Sequence, residues 1–396
     1  MALALSRTLP PPRIRGDSTT SDERRRLAPP KGVAVHGSGE LMAQHDALSV
    51  QGRRRRKLLA APDSFKGTCS ASEVARAIEA GAGRAGWEVD LCPMSDGGEG
   101  FTEVLAESAE RGGWVSTRVT GPLGGPVEAR WWLAGEEAVM ECAAASGLVL
   151  AGGARGNDPL DATSRGTGEL IVAALARGAK KVLVGMGGSA TTDGGRGAVD
   201  AIVQAGGFAA AEVVVACDVK CPFVEAAQRF GPQKGASEAQ VAELRLRLER
   251  LARSYHELFG VDVTALPDAG AAGGLAGGLA ALGAQLVGGF DLVAAEVSLS
   301  DRIDASSLVV TGEGTLDGSS WSGKVVGGVV ERCASAAVRV LVVAGRTSTG
   351  ADPPSFAAEL VETVSLEDRY GSLRSMEDPR SCISEVVSTA LGEGGR

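Results

Sequence analysis

The strongest constraint on this chain is a repeated transition in which a short apolar run gives way to a polar, glycine-rich loop. Residues 58–61 run into Asp63-Ser64-Phe65-Lys66-Gly67. Residues 181–184 run into Gly185-Met186-Gly187-Gly188-Ser189-Ala190-Thr191-Thr192-Asp193-Gly194-Gly195, and residues 307–310 into Thr311-Gly312-Glu313-Gly314-Thr315-Leu316-Asp317. Short continuous apolar runs suit strands buried on both faces of a parallel sheet. The loops that leave the carboxyl ends of such strands are where open α/β sheets hold ligands. Helices fill the intervals. Ser70 to Glu73 spells a capping box that opens a helix through Val74, Ala77 and Ile78. Further helices are expected over residues 169–177, 238–258 and 325–336, and a strand over 339–343. In 238–258, Leu244, Leu246, Leu248, Leu251 and Leu258 supply apolar positions, and the charges read as a solvated face. The pattern is α/β with at least one largely parallel sheet.

Glycine makes up 56 of the 396 residues, about twice the usual ~7 %. The glycines follow no three-residue period, which excludes collagen. Apolar residues reach 44 %, enough for ordinary cores, and no apolar stretch is long enough to read as a membrane span. The only histidines are His36, His45 and His256. A Ser-His-Asp triad or a histidine-rich zinc site is therefore not expected, and a general base is expected to be a carboxylate or a lysine. The 7 cysteines are scattered, so a reducing, intracellular setting is expected rather than a disulfide framework. Cys217 and Cys221 form a C-x3-C with no second pair to complete a metal site.

Charge divides the chain. Residues 1–57 carry +7 of a net −9, leaving −16 on the remainder. This Pro-, Ser- and Arg-rich arm lacks apolar periodicity and reads as a disordered basic extension. It is open to reading as an organellar transit segment, an inert extension or a nucleic-acid patch. The localisation is accordingly cytoplasmic or organellar. The acidic remainder argues against nucleic acid as a partner, and no membrane is implied.

The loops suggest the ligand. Asp96-Gly97-Gly98-Glu99-Gly100, Thr163-Ser164-Arg165-Gly166-Thr167-Gly168-Glu169, the Gly185 loop, Gly270-Ala271-Ala272-Gly273-Gly274 and Gly312-Glu313-Gly314 combine glycine with hydroxyls and acids in most cases. Glycine lets backbone N–H groups approach an anion, and a helix N-terminus behind the loop adds a favourable dipole. Carboxylates in the same loops suit Mg²⁺ or proton transfer. The combination points to a phosphorylated, anionic ligand. Two motif matches are incomplete. Gly185-x-Gly187-x-x-Ala190 fits a dinucleotide fingerprint, but Thr191 to Gly195 would break the required helix. Gly318-x4-Gly323-Lys324 resembles a phosphate-binding P-loop, but Val325 stands where a Mg²⁺-binding hydroxyl is needed.

The order of these motifs carries a resemblance. APDSFKG at Ala61, DGGEG at Asp96, TGPLG at Thr120, TSRGTGEL at Thr163, GMGGSATTDGG at Gly185, ACDV at Ala216, FGPQKGAS at Phe230, GAAGGLAGGL at Gly270 and TGEGTLD at Thr311 follow one another. From residue 58 to about 345 the chain resembles type-1 glycerate kinases. The resemblance implies a two-domain α/β fold. One flavodoxin-like parallel-sheet domain would be formed by both chain ends (58–100 and 275–396), with a mixed α/β domain inserted over 101–274. It implies ATP-dependent phosphorylation of D-glycerate to 2-phosphoglycerate with Mg²⁺, small-molecule partners, and an oligomeric state left open. A catalytically inactive nucleotide- or glycerate-binding relative and a kinase for another small sugar acid are the alternatives.

Phosphoryl transfer needs positioning, cations and carboxylates rather than histidine. Within the motifs, Asp193 is expected as base or metal ligand, with Lys66 and Asp63 as further catalytic candidates and Glu313 as a second metal ligand. Ser64, Asp96, Glu99, Thr163, Ser164, Arg165, Gly187, Gly188, Ser189, Thr191 and Lys324 are expected around substrate or phosphate. Gln233 and Lys234 are expected to close over nucleotide. The chain departs from the family pattern in being short between Gly195 and Ala216. It also carries Cys221 in place of asparagine, and Thr315 in place of an arginine that would supply a cation.

Overall fold

The computed structural model describes residues 56–217 and 219–393, so almost all of the basic extension lies outside the described residues. The described residues form one compact unit. The chain enters through β1 (Lys57–Ala60), α1 (Ala71–Arg84), β2 (Glu88–Leu91) and α2 (Phe101–Ser108). It then builds β3 (Gly113–Thr120), β4 (Pro126–Ala134), β5 (Glu137–Glu141), α3 (Arg165–Ala176), β6 (Lys181–Gly185), α4 (Arg196–Gln204) and β7 (Glu212–Cys217). Next come α5 (Glu238–Phe259), α6 (Leu275–Ala281), β8 (Gln285–Gly288) and α7 (Gly289–Glu296). It closes with β9 (Leu308–Leu316), α8 (Val325–Ala336), β10 (Arg339–Thr347), β11 (Val361–Ser365) and α9 (Pro379–Glu393).

Two sheets result. The first has the order β11-β10-β9-β1-β2, with every neighbouring pair parallel. Read from its other edge and numbered by its own strands, that order is 2-1-3-4-5, the flavodoxin-like arrangement, whose switch point lies between its first and third strands. Here those strands are β1 and β9. The second sheet has the order β3-β4-β5-β6-β7-β8, antiparallel across β3, β4 and β5 and parallel from β5 onward. The strand β8 pairs with β7, so the chain returns to the first sheet only after Gly288, later than residue 274.

Alternation along the strands of the first sheet serves two cores. Leu58, Ala60, Val310, Leu341 and Val343 pack beneath α1 and α9 with Val74, Ile78, Ile383 and Val387. Leu59, Val309, Val340 and Val342 pack the other way, with α8 and α7, in a cluster that also takes in Val139, Leu183 and Val214 from the second sheet. The capping box of α1 forms as expected: Ser70 Oγ accepts from Glu73 N, and Glu73 reaches back to Ser70 N. The surface helix α5 buries Leu244 and Leu248, but Leu246 and Leu258 are 57 % and 73 % exposed. The apolar positions expected there are therefore only partly core. The short region after Gly195 closes as an ordinary crossover. The helix α4 is followed by left-handed Gly206 and Gly207, and β7 then pairs in parallel with β6.

Candidate active site

A cleft of about 420 Å³ opens at the switch point, at the carboxyl ends of β1 and β9. One backbone and one side-chain hydrogen bond fix its floor: Asp63 N donates to Gly312 O at 2.9 Å, and Thr311 Oγ1 donates to Ala61 O at 2.7 Å. A Cβ on Gly312 would overlap the Val343 carbonyl, so only glycine lets β9 and β10 approach this closely at that point. Asp63, Ser64, Lys66, Asp96, Glu313 and Lys324 line the cleft together, so the structure unites these expected residues in one place.

Its electrostatics are those of crowded, buried acids. Burial and then the Asp96 charge push the Asp63 carboxyl up to about 7, against a hydrogen bond from Ser64 N at 2.7 Å. The Glu313 carboxyl is raised first by burial, opposed by Ser320 and Lys324. In the cleft lining, the buried atoms Ser64 Oγ and Glu313 Oε1 lack hydrogen-bond partners among the described residues. An orphaned carboxylate oxygen beside two further acids fits a cation. Among the described residues, no group of three or more His, Cys, Asp or Glu side chains could hold a metal ion. Mg²⁺ commonly takes one or two carboxylates and completes its shell with water and phosphate oxygens, and Asp96 and Glu313 suit that role. Lys324 stands at the N-cap of α8 and donates to Ser319 Oγ at 2.9 Å, which places an ammonium beside a helix N-terminus at the cleft wall.

The loop that carries Asp96 also joins the two sheets. Gly98 N donates to Asp96 Oδ1 at 3.2 Å, and Gly187 N donates to Gly97 O at 3.2 Å. A Cβ on Gly187 would lie 2.5 Å from Gly98 Cα. Gly187 is therefore fixed by backbone contact, and exposed Gly188 follows it. Glu99 points away from this floor. It is exposed and contributes, after burial and Glu103, to raising the carboxyl of Glu141 to about 7.

The remaining expected residues lie outside the lining of this cleft. Asp193 is held as a clasp. Its Oδ2 accepts from Ser164 N at 2.9 Å, Ser164 Oγ at 2.8 Å and Gly197 N at 3.2 Å, and its Oδ1 accepts from Gly195 N at 3.0 Å. These bonds tie the first turn of α3 to that of α4. Asp193 and Thr163 face a separate cleft bounded by α4 and α5, not the switch-point cleft. Arg165 is turned along its own helix, with Nε on Glu169 Oε1 at 2.9 Å and a second contact to Gln204 at 3.2 Å. Ser189 and Thr191 are buried, and Lys234, 3 % exposed, donates to Ser189 Oγ and to the Thr191 carbonyl oxygen from within. Gln233 is exposed. The partners of Asp193, Arg165 and Lys234 include residues from other segments of the chain, which sequence spacing does not reveal.

Arg346 and Glu367 also line the cleft and were not among the residues expected there. Arg346 lies just beyond the strand expected at 339–343, and Glu367 follows β11. Their signal was positional, because each leaves the carboxyl end of a parallel strand.

Comparison with known proteins shows the family. A sequence model of the glycerate kinase family matches residues 58–206 and 204–390. The chain belongs to the glycerate kinase family. The two matched segments meet where the chain is short after Gly195. Among relatives of this family member, glycerate 2-kinase of Escherichia coli K12 is 42 % identical over 312 residues, covering 69 % of this chain and 81 % of that protein. A Bacillus subtilis glycerate kinase is 38 % identical over 328 residues, covering 74 % and 85 %. A crystal structure described as a glycerate kinase 2 from Salmonella typhimurium LT2 superposes with a TM-score of 0.71 at 34 % identity. It covers 85 % of this chain and 97 % of that one. Among the described residues, no helix is long and apolar enough to cross a membrane.

Proposed function

We propose that this family member transfers the γ-phosphoryl group of ATP to the 2-hydroxyl of D-glycerate at the switch-point cleft. The observation that carries this reading is the convergence of Asp63, Asp96 and Glu313 with Lys66 and Lys324 at the carboxyl ends of β1 and β9. Asp63 accepts the proton of the attacking hydroxyl, a task that favours a carboxylate with a raised pKa near working pH. Lys66, Lys324 and the N-terminus of α8 offset charge on the phosphates and on the glycerate carboxylate. Mg²⁺, held through Asp96 and Glu313, would supply charge neutralisation at the phosphates. The Gly187 loop backs the Asp96 loop and keeps it in register with the cleft.

The test is a coupled assay of ATP consumption with D-glycerate, with the product's phosphate position read by NMR. Glycerate-dependent turnover that yields the 2-phosphate supports the reading. Ligand-induced thermal stabilisation without product would overturn it in favour of a non-catalytic binder, and turnover restricted to other sugar acids would replace the substrate.

A further inference from the structure

The strands β9 and β10 run on past the end of β1 as a two-stranded ribbon, paired through Leu316 and Thr347. Side chains alternate along it, so Glu313 and Thr315 share a face with Ala344 and Arg346, their respective neighbours across the ladder. That face is a wall of the cleft, which Arg346 lines. Arg346 Nε donates to Thr315 Oγ1 at 3.0 Å. Among the described residues, Arg346 makes no ion pair with a carboxylate. A guanidinium tethered through Nε is oriented while its two terminal nitrogens keep their donors, the fork that matches an oxyanion in bidentate fashion. The cleft's other cations are different in kind. Lys324 is engaged by Ser319, and Lys66, exposed like Arg346, is a point charge without a fork.

We propose that Arg346, oriented by Thr315, is the anchor for a substrate oxyanion in this cleft, a carboxylate or a terminal phosphate. The anchor rests on the kinase reading for its substrates, but its binding can be measured apart from turnover. Arg346 acts as a binding residue and Thr315 as a positioning residue. The expected cation at position 315 is thus supplied from the neighbouring strand.

The experiment measures Kd for ATP and for D-glycerate separately by calorimetry, alongside KM and kcat, in the full chain and in Arg346→Gln, Arg346→Lys, Thr315→Val and the Arg346→Gln/Thr315→Val double variant. Arg346→Gln is expected to weaken one of the two substrates about tenfold. A loss for glycerate assigns the carboxylate, and a loss for ATP assigns the phosphate. Arg346→Lys restores binding only in part, because it lacks the fork. Thr315→Val weakens the same substrate less, and adds nothing in the Arg346→Gln background. A change of less than about threefold in both Kd values for folded Arg346→Gln overturns the anchor, as does full additivity of the double variant. A parent chain that binds both ligands but turns over neither refutes the kinase reading and leaves the anchor to be judged by Kd alone.

Discussion

Lys234 holds Ser189 from inside the protein: Nζ lies 2.9 Å from Ser189 Oγ and 2.6 Å from the Thr191 carbonyl oxygen, with the lysine 3 % exposed. This buried ammonium ties the Gly185–Gly195 loop to the turn before α5. Lys234→Met keeps the length and removes the charge. We predict a loss of about 2 kcal/mol, since hydrogen bonds to charged groups contribute about 1.5–3 kcal/mol. Amide exchange over residues 186–192 should accelerate. Unchanged denaturant midpoints and exchange rates would refute the brace.

Asp193→Asn tests the clasp. Asparagine presents an NH₂ group to donors that now share a carboxylate, so the first turns of α3 and α4 lose part of their tie. The predicted cost is about 2 kcal/mol in urea unfolding, with kcat of the folded enzyme falling less than about tenfold. A fall of about a hundredfold or more at unchanged stability would return Asp193 to the role of base.

Asp63→Asn is predicted to behave in the opposite way. The folded carboxyl is already costly to ionise, because burial and Asp96 raise it to about 7. The variant should therefore fold at least as well as the parent. Its kcat should fall by about 10²–10⁴-fold, the usual contribution of a general base. A rate within a few-fold of the parent removes Asp63 from the chemistry.

Glu141 offers a pH test away from the cleft. Its carboxylate accepts from Thr102 N at 3.0 Å, and burial, with Glu103 and Glu99, raises its pKa from 4.5 to about 7. A carboxyl raised on folding is favourable while neutral, so its contribution is fully present below 4.5 and is lost as pH rises through about 7. Glu141→Gln stays neutral. The stability gap in favour of the variant should be near zero at pH 4, grow between about 4.5 and 7, and level off at about 1–3 kcal/mol above that. Parallel stability curves for the two proteins would show that the folded pKa is unshifted.

Gly187→Ala probes the junction between the sheets. The added methyl would meet Gly98 Cα at 2.5 Å, with backbone rather than a flexible side chain in its way. We predict a cost of about 1–3 kcal/mol, typical of overpacking, and loss of activity as the Asp96 loop is displaced. Parent-like stability and kcat would mean that the two loops can separate freely.

Element types and their ligand-facing ends are written in short stretches of the chain. Apolar runs giving way to polar, glycine-bearing loops marked β1, β6 and β9, the Ser70–Glu73 box marked α1, and Val325–Ala336 was legible over its full length. The ordered motifs also carried the family. These signals are local, written in residues a few positions apart, and burial of a strand or capping of a helix needs little more. Only the tertiary structure decided which polar loops share a site. Asp63 and Glu313 are far apart in sequence and meet because β1 pairs with β9, while Asp193, equally acidic and glycine-flanked, is consumed by Ser164, Gly195 and Gly197. Arg346 enters the cleft because the β9–β10 ladder sets it opposite Thr315. Whether a carboxylate is a catalyst or a clasp depends on which donors the fold brings to its oxygens, and that is fixed by long-range pairing and burial rather than by the residues beside it.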